Sequence, residues 1–160
     1  GGIAMHFYNG PRLTKDVDVI ASAILPIEAE RKLGFGGDRY RVSVGRINVP
    51  LDWIVRNDEA RTFYKMALEE AYLLPNGLSI VTAEWMVVLK YLAGRFKDQQ
   101  DAIFLLKQKG LVDRKLIRRK IKEILGPGGW AAFANGLRRW YDLADGKITT
   151  EKEDYEAEPL

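Results

Sequence analysis

The spacing of hydrophobic and polar residues changes near the middle of this 160-residue chain, from strand-like alternation to helical periodicity. Ile3 to Tyr8 is a short apolar stretch behind Gly1-Gly2 and ahead of Asn9-Gly10-Pro11, which predicts a brief helix. Asp16-Val17-Asp18-Val19-Ile20 alternates polar and apolar residues at strand period. Leu25 to Phe35 carries Pro26 near its start and glycine at its end, and predicts a helix. Arg39 to Val44 and Ile47 to Val55 predict two strands joined by a tight turn at Gly45-Arg46. Asp58 to Leu74 reads as a weakly amphipathic helix, followed by a turn at Pro75-Asn76-Gly77. Thr82 is placed to cap a long helix reaching Lys109 and ended by Gly110, and a second helix is expected from Val112 or Asp113 to Leu125. Gly126-Pro127-Gly128-Gly129 then breaks the chain. A last helix from Trp130 to Leu143 sets Trp130, Phe133, Leu137 and Trp140 or Tyr141 on one side. The expected fold class is α/β (α+β), a mixed sheet flanked by helices with a helical bundle at the C-terminal end.

Composition narrows the chemistry. A 47% hydrophobic content suffices for a core. The longest apolar runs, such as Trp85 to Leu89, fall far short of the roughly 20 residues a membrane span needs, and no leader resembles a signal peptide. The expected setting is the cytoplasm, with no membrane partner. The absence of cysteine excludes disulfides, thiolate metal sites and cysteine nucleophiles, and one histidine, His6, leaves no basis for a histidine-rich zinc centre. His6 is expected to be packing or solvent-exposed. Any metal must be held mainly by carboxylates, which favours Mg²⁺, Mn²⁺ or Ca²⁺.

The net charge of +3 hides an asymmetry: Thr149 to Leu160 carries five acids against one lysine. Without it, 24 basic and 17 acidic residues remain, a net +7 compatible with a polyanionic partner such as RNA. The acidic segment 149–160 is expected to be disordered. The basic run Arg114, Lys115, Arg118, Arg119, Lys120 and Lys122 lies on a predicted helix whose Leu116, Ile117, Ile121 and Ile124 face inward. It is a solvated face or a docking face for RNA. The four tryptophans form no recognisable stacking platform and are expected in the core.

Residues two apart on a strand point to the same side, roughly 6.8 Å further on, so Asp16 and Asp18 project together. Two carboxylates about 6 Å apart at an effective dielectric near 20 repel by roughly 3 kcal/mol, which a bound divalent cation reverses. Asp52 sits in an otherwise apolar strand between Leu51 and Trp53-Ile54-Val55, where an ionised acid needs a partner. Were its strand to lie beside that of Asp16 and Asp18, three carboxylates would converge as two-metal nucleotidyl transfer requires. Taken singly, the pair equally fits a solvated strand edge, and Asp52 a salt bridge to an arginine.

Gly1-Gly2 and Ala4, then Arg12, Thr14, Asp16 and Asp18, then the isolated Asp52 form an ordered set. It resembles the polymerase-beta nucleotidyltransferase superfamily, with its glycine pair opening a short helix, downstream Asp-x-Asp and third Asp on a later strand. Lys90, Ala93-Gly94-Arg95, Lys97-Asp98 and Asp101 resemble the helical motif of AbiEii/AbiGii-type small nucleotidyltransferases. The two resemblances span most of Gly1 to Leu106. They imply a nucleotidyltransferase core over 1–81, a helical region over 82–148, and an enzyme that uses Mg²⁺ (or Mn²⁺) to move a nucleoside monophosphate from an NTP, ATP among them, to an acceptor hydroxyl. They also imply a toxin-antitoxin role, with tRNA or another RNA as acceptor and an antitoxin protein as partner.

Carried onto this sequence, the resemblance gives Asp16, Asp18 and Asp52 as catalytic metal ligands, with Asp52 also accepting the proton of the attacking hydroxyl. Gly1, Gly2, Arg12, Thr14, Lys90, Lys97 and Asp101 become the nucleotide-binding set. Helical rotation agrees, since Lys90, Gly94, Lys97 and Asp101 fall within about 60° of one another. Leu89, Leu92, Phe96 and Ile103 would bury a neighbouring face and leave Lys90 and Lys97 free for phosphates, with Asp101 orienting Lys97. The alternative is an ordinary solvated face. Arg95 falls nearly opposite Lys97 and is either structural or turned toward another element. Superfamily members carry a helix and a strand ahead of the glycine pair, whereas this sequence opens on it. The core is therefore expected without its first strand, and the alternative function is a non-catalytic nucleotide- or partner-binding module of the same fold.

Overall fold

The computed structural model describes residues 1–11 and 13–149. Arg12 and the acidic segment from 150 onward lie outside the described residues, as do the expectations that rest on them. The chain is α+β, and its elements run α1 (Gly2–Phe7), β1 (Val17–Ile20), β2 (Arg31–Lys32), β3 (Asp38–Val44), β4 (Ile47–Ile54), α2 (Arg61–Glu69), β5 (Tyr72–Leu73), β6 (Ser79–Ile80), α3 (Ala83–Ala93), α4 (Phe96–Lys107) and α5 (Arg114–Ala144).

Four strands form one mixed sheet in the order β1-β4-β3-β2. β3 and β4 are the predicted hairpin, with Gly45 at φ 62° in the first central position of the turn, where a positive φ is needed. β1 joins the free side of β4 in parallel, pairing Val17 with Leu51 and Asp18 with Asp52. β5 and β6 pair around Pro75-Asn76-Gly77.

The helix expected over Leu25 to Phe35 is absent. The chain instead runs irregularly to β2, pairs Arg31 with Arg39 and Lys32 with Asp38, and doubles back through Gly36 and Gly37. Both glycines have positive φ, 101° and 94°. A Cβ on Gly37 would lie 2.0 Å from the Trp53 carbonyl oxygen, so pairing against the β3–β4 hairpin depends on that glycine and overrides local helix preference.

The long helix expected from Thr82 to Lys109 is two helices. Thr82 does cap α3, its hydroxyl accepting from the Trp85 N–H at 3.4 Å. Gly94, at φ 67°, then ends α3 in the left-handed conformation and the chain turns into α4. Thr82→Ala should therefore cost about 1 kcal/mol, read as a lower urea midpoint with an unchanged m-value. Asp113 caps α5, and the predicted glycine-proline break appears at Gly126 (φ 71°, ψ −179°), with Pro127 opening the second half.

The core lies among the helices. Trp85, Val87 and Val88 of α3, Leu105 of α4 and Ile117, Ile121 and Leu137 of α5 are fully buried. The expected face of the last helix packs here: Phe133 stands 4.3 Å and Trp140 5.3 Å from the Tyr91 ring, and a Cβ on Gly136 would meet the Tyr91 hydroxyl at 2.0 Å. Of the tryptophans, Trp85 and Trp140 are buried, while Trp53 and Trp130 are only partly covered. Among the described residues, no helix is long and apolar enough to cross a membrane.

Candidate metal centre

The parallel pairing of β1 with β4 sets Asp18 directly beside Asp52, and Asp16 lies just ahead of β1 on the same side. One carboxylate oxygen from each of the three comes within 4.8 Å of the other two. The adjacency on which the three-carboxylate expectation depended is therefore present. Asp52 is buried, whereas Asp16 and Asp18 are partly open. Thr14 steadies Asp16: its hydroxyl lies 2.9 Å from the Asp16 carbonyl oxygen and 3.0 Å from Oδ1.

The glycine pair fits tightly beside them. A Cβ on Gly2 would stand 2.4 Å from Thr14 Cβ, and one on Gly1 1.7 Å from Asp18 Oδ2. The Gly1 nitrogen is 3.9 Å from that same oxygen, so the start of α1 opens onto the carboxylates. His6 is exposed on α1.

Arg39, absent from the expected site, stands among the acids. Antiparallel pairing of β3 with β4 places it opposite Asp52. Its Nε donates to Asp52 Oδ1 at 2.5 Å and its Nη2 to Oδ2 at 2.7 Å, with Nη2 also 3.8 Å from Asp16 Oδ2. These contacts, above all the hydrogen bonds that Asp52 accepts, raise the Arg39 pKa above its ordinary value. The donor set is all-oxygen and anionic, which fits a hard cation such as Mg²⁺ or Mn²⁺, but Arg39 already neutralises part of it. Arg39→Gln should therefore bind Mn²⁺ about tenfold more tightly than the parent while unfolding at lower urea, because a competing cation leaves and a buried acid loses its partner. Weaker Mn²⁺ binding by this variant would mean that Arg39 builds the site and does not compete for it.

The carboxylates line a cleft of about 880 Å³ together with Lys90 of α3, Lys97 and Asp98 of α4, and Arg95 between the two helices. Comparison of the chain with family models, curated proteins and solved structures returns no match. The site is thus read from its own geometry.

The helical motif does reach this cleft, but its charges are arranged differently from the expectation. Lys90 is not free. It is 7% exposed, and its ammonium donates to Asp98 Oδ1 at 2.9 Å and to Asp101 Oδ2 at 2.5 Å. Asp101 is accordingly turned to Lys90, locking α3 to α4. The bend at Gly94 is the physical reason, since it folds the second half of the motif back against the first. The same bend leaves Leu92 and Phe96 exposed, although Leu89 is buried. Lys97 is exposed and makes no ion pair among the described residues. Burial pushes the Asp98 carboxyl up, but hydrogen bonds from Arg95 and Lys90 outweigh it and hold the group below the usual carboxylate range.

On the basic face of α5, two cations are spent internally. Arg114 pairs with Asp145 at 2.5 Å, and Lys120 is buried against Glu70 with its ammonium 5.2 Å from the Trp85 ring centre. Lys115, Arg118 and Arg119 remain exposed. Arg39 could have been found from sequence: counting outward in equal steps from the Gly45-Arg46 turn places it opposite Asp52.

Proposed function

We propose that this chain is a nucleotidyltransferase that moves a nucleoside monophosphate from an NTP to an acceptor hydroxyl. The observation that carries this reading is the convergence of Asp16, Asp18 and Asp52 within 4.8 Å on two adjacent strands at the wall of a cleft. Three carboxylates this close repel one another, and Arg39 offsets only part of their charge. Asp16, Asp18 and Asp52 are the residues that would hold Mg²⁺ or Mn²⁺. A divalent ion bound there supplies charge neutralisation for the triphosphate and for the leaving pyrophosphate.

The chain's own residues have distinct tasks. Thr14 orients Asp16, the lack of a side chain at Gly1 keeps the approach to Asp18 open, and the lack of one at Gly2 leaves room for Thr14. The acceptor oxygen attacks the α-phosphorus, the bond to the bridging α–β oxygen breaks, and Asp52 takes the proton of the acceptor hydroxyl. Arg39 takes one lone pair on each oxygen of Asp52, which leaves a second on each for that proton and for the metal. Lys97 lines the cleft as a cation with no ion pair among the described residues. Lys115, Arg118 and Arg119 give an RNA or tRNA acceptor a basic face, and the toxin-antitoxin setting, with an antitoxin partner, belongs to this same reading.

A second reading is favoured by one specific observation. The bidentate grip of Arg39 on Asp52 resembles the internal neutralisation expected of a non-catalytic nucleotide- or partner-binding module. The two are separated by incubating the protein with Mg²⁺, each NTP labelled at the α-phosphate, and total RNA or cell extract, beside the Asp16→Asn, Asp18→Asn double variant. Label transfer by the parent alone supports the enzyme. Transfer by both proteins, or by neither with any NTP, overturns it.

A further inference from the structure

Among the described residues, six cationic side chains line the cleft: Arg31, Arg39, Arg56, Lys90, Arg95 and Lys97. Most are committed elsewhere. Arg39 is held by Asp52 and Lys90 is buried between Asp98 and Asp101. Arg56 is paired with Asp58 and lies against the Tyr64 ring, 5.2 Å from its centre. Arg31 extends from the short edge strand β2, across the sheet from β1. Lys97 is a flexible chain with no partner among the described residues.

Arg95 differs from all of these. It stands where α3 gives way to α4, on the wall facing the carboxylates, with its side chain 58% exposed. Asp98, only 1% exposed, accepts from its Nε at 2.6 Å and from its Nη2 at 3.3 Å. Asp98 is in turn anchored by Lys90. The guanidinium is therefore fixed by a buried acid, and its Nη1 group donates to nothing among the described residues. Asp18 is near enough for its charge to act on Arg95 and to help hold its pKa above the ordinary value, behind the larger effect of Asp98. A planar, permanently charged, pre-oriented donor facing a carboxylate cluster is what a phosphoryl group bridging the two walls needs, and fixing it beforehand lowers the entropy lost on binding.

We propose that Arg95 is the phosphate-binding cation of the helical wall, donating from its open Nη1 edge to the triphosphate. This rests on the nucleotidyltransferase reading of the cleft and assigns it a residue that the helical motif had left without a role. The buried Lys90 is by contrast a support for Asp98.

The test is calorimetric titration, in Mg²⁺, of the α,β-methylene analogues of ATP, GTP, CTP and UTP and of the four nucleosides, into the parent, Arg95→Gln, Arg95→Lys and Lys97→Gln. The parent is expected to bind at least one triphosphate. Arg95→Gln should weaken it by about tenfold or more with nucleoside affinity unchanged, while its unfolding midpoint falls because the buried Asp98 loses a partner. Arg95→Lys should restore part of the loss, and Lys97→Gln should cost less triphosphate affinity than Arg95→Gln does. Equal triphosphate binding by Arg95→Gln and the parent would overturn the assignment and leave the transferase reading standing, as would an equal loss of nucleoside and triphosphate. A parent that binds none of the four triphosphates would overturn both.

Discussion

Asp16→Asn, Asp18→Asn is expected to lose nucleotide transfer by on the order of 10³-fold or more while unfolding at the same or a higher urea concentration than the parent. The asymmetry follows from the geometry. Two like charges are removed from beside Asp52, which relieves repulsion in the resting protein. Asparagine keeps an oxygen that can accept from the Thr14 hydroxyl, so the turn before β1 is retained. What disappears is the negative charge that holds a divalent cation and, through it, the triphosphate. A variant that transferred label at the parental rate would show that these carboxylates are a surface feature of the sheet. A variant that lost both activity and folding would show that they are structural.

Lys90→Met is expected to have the largest effect on stability, about 3–5 kcal/mol. It leaves Asp98, almost fully buried, with Arg95 as its remaining cation and takes the ammonium from Asp101 as well. For a chain of this size that loss lowers Tm by on the order of 10 °C. The pH dependence has a definite sign. The folded Asp98 carboxyl is held below its ordinary pKa, so its stabilising contribution is complete above the ordinary carboxylate value, about 4. It is lost as pH falls below that value and through the folded one. Removing Lys90 takes away one of the groups that lower the pKa, so acid unfolding should begin at a higher pH in Lys90→Met. Were the variant as stable as the parent but unable to bind triphosphate, Lys90 would be a phosphate contact after all.

Much of the site was legible because it depends on short-range rules. Alternation at Asp16 to Ile20 gave β1, the Gly45-Arg46 turn gave the β3–β4 hairpin, and an acid inside an apolar strand marked Asp52 as needing a partner. The sequence alone could not show that β1 lies beside β4, since that pairing joins segments more than thirty positions apart. Two expectations failed, one to long-range pairing and one to a local turn. Leu25 to Phe35 had helix-like ends, yet pairing with β3 and a close approach of Gly37 to Trp53 drew it into a strand and turn. Lys90 to Asp101 was read as one continuous helix, which put Lys90 and Lys97 on one open face. A single left-handed glycine at 94 folded the motif on itself, buried Lys90 and left Arg95 facing the cleft. Glycine inside a helical pattern is tolerated often enough that its position does not announce a break. The partner of Asp52, by contrast, was within reach once the hairpin register was counted.

The central claim is that Asp16, Asp18 and Asp52 form a divalent cation site, and the most direct measurement is an electron paramagnetic resonance titration of free Mn²⁺ against the parent and against Asp16→Asn, Asp18→Asn, without nucleotide and then with ATP. The parent should remove Mn²⁺ from solution, more strongly with ATP present, and Mg²⁺ should displace it, while the double variant should leave the free-ion signal unchanged in the absence of nucleotide. A parent that left the free Mn²⁺ signal unchanged with and without ATP, or a double variant that bound Mn²⁺ as tightly as the parent, would contradict it.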